Sequence, residues 1–118
     1  MKRIHITLAA AAVALVAASA ATPMAPPRLT GTVGPGFTIS VKRGTVLVKT
    51  LKAGRYTFVV RDRAAIHNFN LEGPGVDRAI TTVPFIGTKT VTVLLRRGRY
   101  KYYCRPHEAT MFGFIRVT

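Results

Sequence analysis

The chain has 118 residues, of which 48% are hydrophobic and 19% charged, enough for one small globular domain and too little for two. Eighteen Lys and Arg face four Asp and Glu, a formal charge of +14 that excludes an acidic surface. The single cysteine, Cys104, excludes an internal disulfide.

Met1 to Ala20 reads as a secretory signal peptide. Lys2 and Arg3 give the positive start. Ile6 to Ala17 is an apolar run shorter than the ~20 residues a helix needs to cross a bilayer, and Ala18-Ser19-Ala20 is a small-x-small cleavage motif. The alternative is an uncleaved anchor. No later segment is apolar enough to span a membrane, and no cysteine near the cleavage motif offers a lipid anchor. Cleavage after Ala20 leaves roughly 98 residues, exported to the periplasm or beyond. Residues 21–28 form a Pro/Ala-rich lead-in and residues 29–118 a single domain.

Past the lead-in, short runs rich in Val, Ile, Thr, Phe and Tyr predict strands over Leu29 to Val33, Phe37 to Lys42, Val46 to Leu51, Arg55 to Arg61, His67 to Glu72, Lys89 to Leu95, Arg99 to Cys104 and Phe112 to Val117. Turn signals separate them, among them Gly34-Pro35-Gly36, Arg43-Gly44, Gly73-Pro74-Gly75 and Arg97-Gly98. Gly73 to Lys89 reads as the one long connection. With no useful helical periodicity, the pattern predicts an all-β Greek-key sandwich of about seven to eight strands. Alternation puts His67 on one face with Phe69 and Leu71, Cys104 with Tyr100 and Tyr102, and Met111 with Ile115 and Val117, so three polarisable side chains point inward from strand ends.

The basic residues are scattered singly and in pairs, such as Lys42-Arg43 and Arg96-Arg97, with no basic helix, which argues against nucleic acid. A positive exported monomer is suited instead to an acidic redox protein or an anionic envelope surface, while solubility alone also accounts for the charge.

Tyr103 to Met111 brings a thiol (Cys104), an imidazole (His107) and a thioether (Met111) into one loop. A lone thiol in an oxidising compartment is oxidised unless buried or bound. Two His, one Cys and a weak Met form the donor combination of blue-copper electron-transfer sites. After the signal peptide takes His5, His67 is the only further imidazole. Each residue alone has a plainer reading: a packed histidine, a small buried apolar residue, a core-filling methionine. Their joint occurrence favours a metal.

His67-Asn68-Phe69, Cys104-Arg105-Pro106-His107 and Met111, together with Leu71-Glu72-Gly73-Pro74-Gly75-Val76, resemble the plastocyanin/azurin family of small blue copper proteins, the cupredoxins. The resemblance implies one type 1 copper ion held by His67, Cys104 and His107, with Met111 as a long axial contact. It implies that Asn68 ties the first histidine segment to the cysteine loop, which Pro106 stiffens. It implies one-electron transfer, without enzymatic turnover, through the His107 ring edge at an apolar patch for which Pro84, Phe85 and Phe112 are candidates, with Arg105 beside it favouring an acidic partner. Three residues separate His107 from Met111, fewer than in plastocyanin itself, and this bears on the axial contact.

Other classes stay open on the residues alone. A periplasmic copper chaperone or storage module would use the same donors in a more exposed site. A zinc site of one Cys and two His is chemically reasonable, and a Cys-His hydrolase pair lacks an orienting carboxylate. Glu108 is a surface acid or a ligand for a harder metal. A basic envelope-binding domain with a structural metal completes the set.

Overall fold

The computed structural model describes residues 2–14 and 24–118. Residues 2–14 carry no regular secondary structure, and the cleavage motif Ala18-Ser19-Ala20 lies outside the described residues. Among the described residues, no helix is long and apolar enough to cross a membrane.

Ten strands follow: β1 (Arg28–Val33), β2 (Ile39–Arg43), β3 (Val46–Leu47), β4 (Thr50–Leu51), β5 (Gly54–Asp62), β6 (Phe69–Gly73), β7 (Val76–Thr81), β8 (Gly87–Leu95), β9 (Gly98–Tyr103) and β10 (Phe112–Val117). They form two five-stranded sheets in the orders β3-β2-β1-β5-β8 and β4-β10-β9-β6-β7, a β-sandwich. The chain crosses repeatedly between sheets, so β5 and β6 are neighbours in sequence and not in hydrogen bonding. Pairing is mostly antiparallel, but β1 runs parallel to β5 and β4 parallel to β10.

Alternation explains which side chains fill the interior. Tyr56, Phe58 and Val60 of β5, Tyr100 and Tyr102 of β9, and Ile115 and Val117 of β10 are buried on the inward face. Burying each large apolar side chain contributes about 1.5–3 kcal/mol relative to leaving it in water. Two tyrosines also pin corners of the sandwich. The Tyr100 hydroxyl donates to the Pro74 carbonyl at 2.6 Å and accepts the Arg96 N–H at 2.9 Å, and the Tyr56 hydroxyl donates to the Lys52 carbonyl at 2.6 Å. Each phenol fastens a turn to the core beneath it.

The structure departs from the expected strand pattern in particular places. The expected long connection from Gly73 to Lys89 contains β7, which pairs with β6 from Gly73↔Val76 to Phe69↔Thr81. β7 is an edge strand whose Asp77, Arg78 and Ala79 are exposed, so its composition resembles a loop while its backbone completes the sheet. The expected strand Val46 to Leu51 divides into β3 and β4, which belong to different sheets. These two changes raise the count from the expected seven or eight. Phe37 precedes β2 rather than opening it, and His67 precedes β6.

Candidate metal centre

Antiparallel register brings the site together. β6 pairs with β9 at Asn70↔Tyr103, and β9 with β10 at Phe112↔Tyr103. The residues just before β6, just after β9 and just before β10 therefore meet at one end of this sheet. His67, Cys104 and Met111 occupy those positions, and each is at most 1% exposed.

The connection from Cys104 to Met111 is closed by its own backbone. Cys104 N–H donates to the Met111 carbonyl at 3.0 Å, Met111 N–H to the His107 carbonyl at 2.8 Å, and His107 N–H to the Cys104 carbonyl at 3.1 Å. Arg105–His107 form a single 3-10 turn with Pro106 in its first positions, where a ring-locked φ suits the turn and the missing N–H costs nothing. Asn68 reaches across from the His67 segment, its Oδ1 accepting the Arg105 N–H at 2.8 Å. On the other side of β6 a register shift falls between Phe69 and Asn70, and the Phe69 N–H is taken by Thr81 Oγ1 at 2.9 Å. A bulge beside a site re-aims the chain that enters it.

His67 Nδ1 and His107 Nδ1 lie 3.2 Å apart, and each is 3.7 Å from Cys104 Sγ. Among the described residues, these three form the one group of His, Cys, Asp or Glu side chains placed to hold a metal ion. A triangle of these sides has its equidistant point about 2 Å from each corner, the range of first-row metal–imidazole bonds. Two imidazole nitrogens and a sulfur converging with Cys104 and His67 fully buried are the donor types a soft or borderline metal ion takes. Glu108 is turned outward, paired with Lys101 Nζ at 2.8 Å.

The surroundings are partly apolar. Phe37 meets His67 and His107 edge-on, with ring centroids 5.3 and 4.9 Å away, while remaining 61% exposed itself. Gly34, at φ 74°, approaches so closely that a Cβ there would sit 3.0 Å from His67 Cδ2. The β1–β2 loop thus covers both histidines, a role the sequence reading did not assign to Phe37. Its one local signal in the sequence is an aromatic directly after Gly34-Pro35-Gly36. Of the residues proposed for the apolar patch, Pro84 is exposed, Phe85 lies beneath Lys89, and Phe112 pairs with Phe114 at 5.7 Å. His107 is half-buried, so one ligand candidate of the cluster reaches towards the surface.

Among the described residues Asp62 is the one buried acid. Burial pushes its carboxyl above the usual carboxylate range, opposed by the Thr81 hydroxyl, the Ala64 N–H and the charge of His67. Its Oδ2 and the Nε2 of His67 are both buried without a hydrogen-bond partner among the described residues.

A two-sheet sandwich that gathers two imidazoles and a thiol at the end of one sheet defines a small mononuclear metalloprotein. The chain belongs to the plastocyanin/azurin family of copper binding proteins, whose family model matches residues 38–118, and its cofactor is copper. No curated protein matches it by sequence. Among solved structures it is similar to a rusticyanin variant, at 26% identity and a TM-score of 0.52 over 77% of this chain and 76% of the other. Reduced rusticyanin is similar at 25% identity and a TM-score of 0.50, over 77% of this chain and 78% of the other. Auracyanin A, a blue copper protein from Chloroflexus aurantiacus, shares the fold at 19% identity and a TM-score of 0.54, over 80% of this chain and all of the other.

Proposed function

We propose that the protein is an exported type 1 copper protein that carries single electrons, with His67, Cys104 and His107 as the strong ligands and Met111 as the weak axial one. The convergence of two Nδ1 atoms and one Sγ within 3.7 Å carries this reading. Copper supplies a one-electron couple whose oxidised form favours imidazole and whose reduced form favours sulfur.

The chain's own residues do the rest. The backbone ring from Cys104 to Met111, stiffened by Pro106 and tied to Asn68, holds the donors in one geometry, so little reorganises when charge changes. Full burial of Cys104 and His67 shields two of the donors from solvent, which supports electron carriage over hydrolysis or copper delivery. His107, beside Phe37, is the proposed way out, with Pro84, Phe85 and Phe112 as the candidates for the apolar patch around it. In this reading residues 1–20 are the export signal, 21–28 the lead-in and 29–118 the copper domain. An acidic redox protein is the partner that the charge favours.

Adding Cu(II) to the purified protein and recording visible absorption tests the reading. An intense thiolate-to-copper band that bleaches with reductant and is missing in Cys104→Ser is the expected outcome. A colourless protein with a titratable thiol refutes it.

A further inference from the structure

At the end of the sandwich away from the histidines, β9 and β10 pair as Val117↔Gly98 and Arg116↔Arg99. The rise of a strand puts this end about 20 Å from Cys104. A groove of about 710 Å³ opens there, lined by Lys49, Arg97, Arg99 and Arg116, with Phe114 among its apolar lining residues. Thr118 also lines it and no Asp or Glu side chain does, although Arg99 and Phe114 also border a neighbouring depression that holds Glu72 and Glu108. Among the described residues none of the four cations takes part in an ion pair. They come from the β3–β4 connection, the β8–β9 turn and two paired strands, so folding collects a charge that is dispersed along the sequence. Arg99 is already ordered, its guanidinium 3.6 Å from the centre of the Phe114 ring. A guanidinium laid on an aromatic face keeps its N–H edge free for a carboxylate and has lost part of its rotamer freedom before any partner arrives.

We propose that this groove is a docking site for an acidic peptide segment of a partner protein, separate from the metal end. Three guanidiniums and an ammonium around a concavity suit an extended chain carrying several carboxylates, each able to take a two-pronged hydrogen bond from arginine. A planar anionic bilayer would meet the rim of such a groove and leave its lining unfilled. Because the groove lies at the opposite end from His107, a protein held there leaves the histidine face free. The inference does not depend on the copper reading: the groove is built from residues that touch none of the proposed ligands.

The test is a fluorescence-anisotropy titration of the full chain against a labelled oligoglutamate peptide. Saturable binding that weakens with salt is expected, with the same affinity for metal-free and copper-loaded protein. The Arg97→Glu/Arg116→Glu variant should bind at least about tenfold more weakly, a loss typical of removing charge pairs from an interface. Arg61→Glu/Arg78→Glu, which makes the same change in net charge at exposed positions of β5 and β7 outside the groove, should stay within about threefold of wild type if the effect is local. Thermal unfolding checks that both variants fold, and the single turn substitution Arg97→Ser replaces the double variant if it does not. Equal losses in both double variants would reduce the effect to overall charge and overturn the proposal. So would unchanged binding by the groove variant, or binding to phosphatidylglycerol vesicles through these arginines with none to the peptide.

Discussion

Replacing Asn68 with alanine removes one hydrogen bond, the 2.8 Å contact from the Arg105 N–H to Asn68 Oδ1, and leaves the fold around it otherwise in place. Apart from the ligand side chains themselves, that contact links the His67 segment to the turn that carries His107. Losing a partly buried bond and stranding its donor costs about 1–3 kcal/mol. Part of this loss falls on the metal-free fold and part on the site, because the loop that positions His107 then keeps its own backbone ring, the Phe37 contact and the exposed Lys101–Glu108 pair but loses its tie to the His67 segment. About 1 kcal/mol in stability would lower the unfolding midpoint by roughly 4–8 °C for a domain of this size. A further 1.4 kcal/mol would weaken copper binding about tenfold, within the 10- to 100-fold range seen when residues supporting a metal site are removed. Competition against a chromophoric copper chelator measures the second quantity, and circular dichroism of the metal-free protein the first. Asn68→Asp keeps an acceptor oxygen and should lose less affinity than Asn68→Ala. If Asn68→Ala keeps both its midpoint and its copper affinity, the bond does not position the loop.

Tyr100→Phe removes the hydroxyl that serves both Pro74 and Arg96, and should cost about 2–3 kcal/mol in urea unfolding while leaving the copper absorption band in place. Asp62 has a folded pKa raised above its unfolded value, so its ionised form weakens the fold at neutral pH, and stability is recovered as pH falls through the raised pKa. Asp62→Asn should therefore be the more stable protein at pH 7 in metal-free form, with its advantage shrinking towards acid; an advantage that grows on acidification would reverse the sign of the argument. Phe37→Ala uncovers the edges of both histidine rings. Redox titration should give a lower potential, since water favours the more highly charged ion, and stopped flow a faster reaction with a hydrophilic oxidant. Equal values in the variant and wild type would mean that the Phe37 ring shields nothing.

Much of this molecule is legible residue by residue because its signals are local. Tyr56, Phe58 and Val60 recur at every second position of β5, and Phe112–Val117 is a strand in both sequence pattern and structure, since a strand with one face in the core writes its period into the chain. The Cys104, His107 and Met111 positions are likewise visible, because one short loop carries all three. β7 escapes this kind of reading: an edge strand buries little, so Asp77 and Arg78 look like loop residues.

What the sequence by itself determined is therefore the class of sandwich, the donor types and the loop that holds most of them. Only the tertiary structure decided that His67, 37 positions before Cys104, turns its Nδ1 towards that sulfur. It also decided that Phe37 lies against both histidines, and that Lys49, Arg97, Arg99 and Arg116 share one groove. The reason is physical. Strand periodicity records which face of a strand is buried, whereas register between distant strands is set by the packing of two whole sheets, and no short window of sequence contains it.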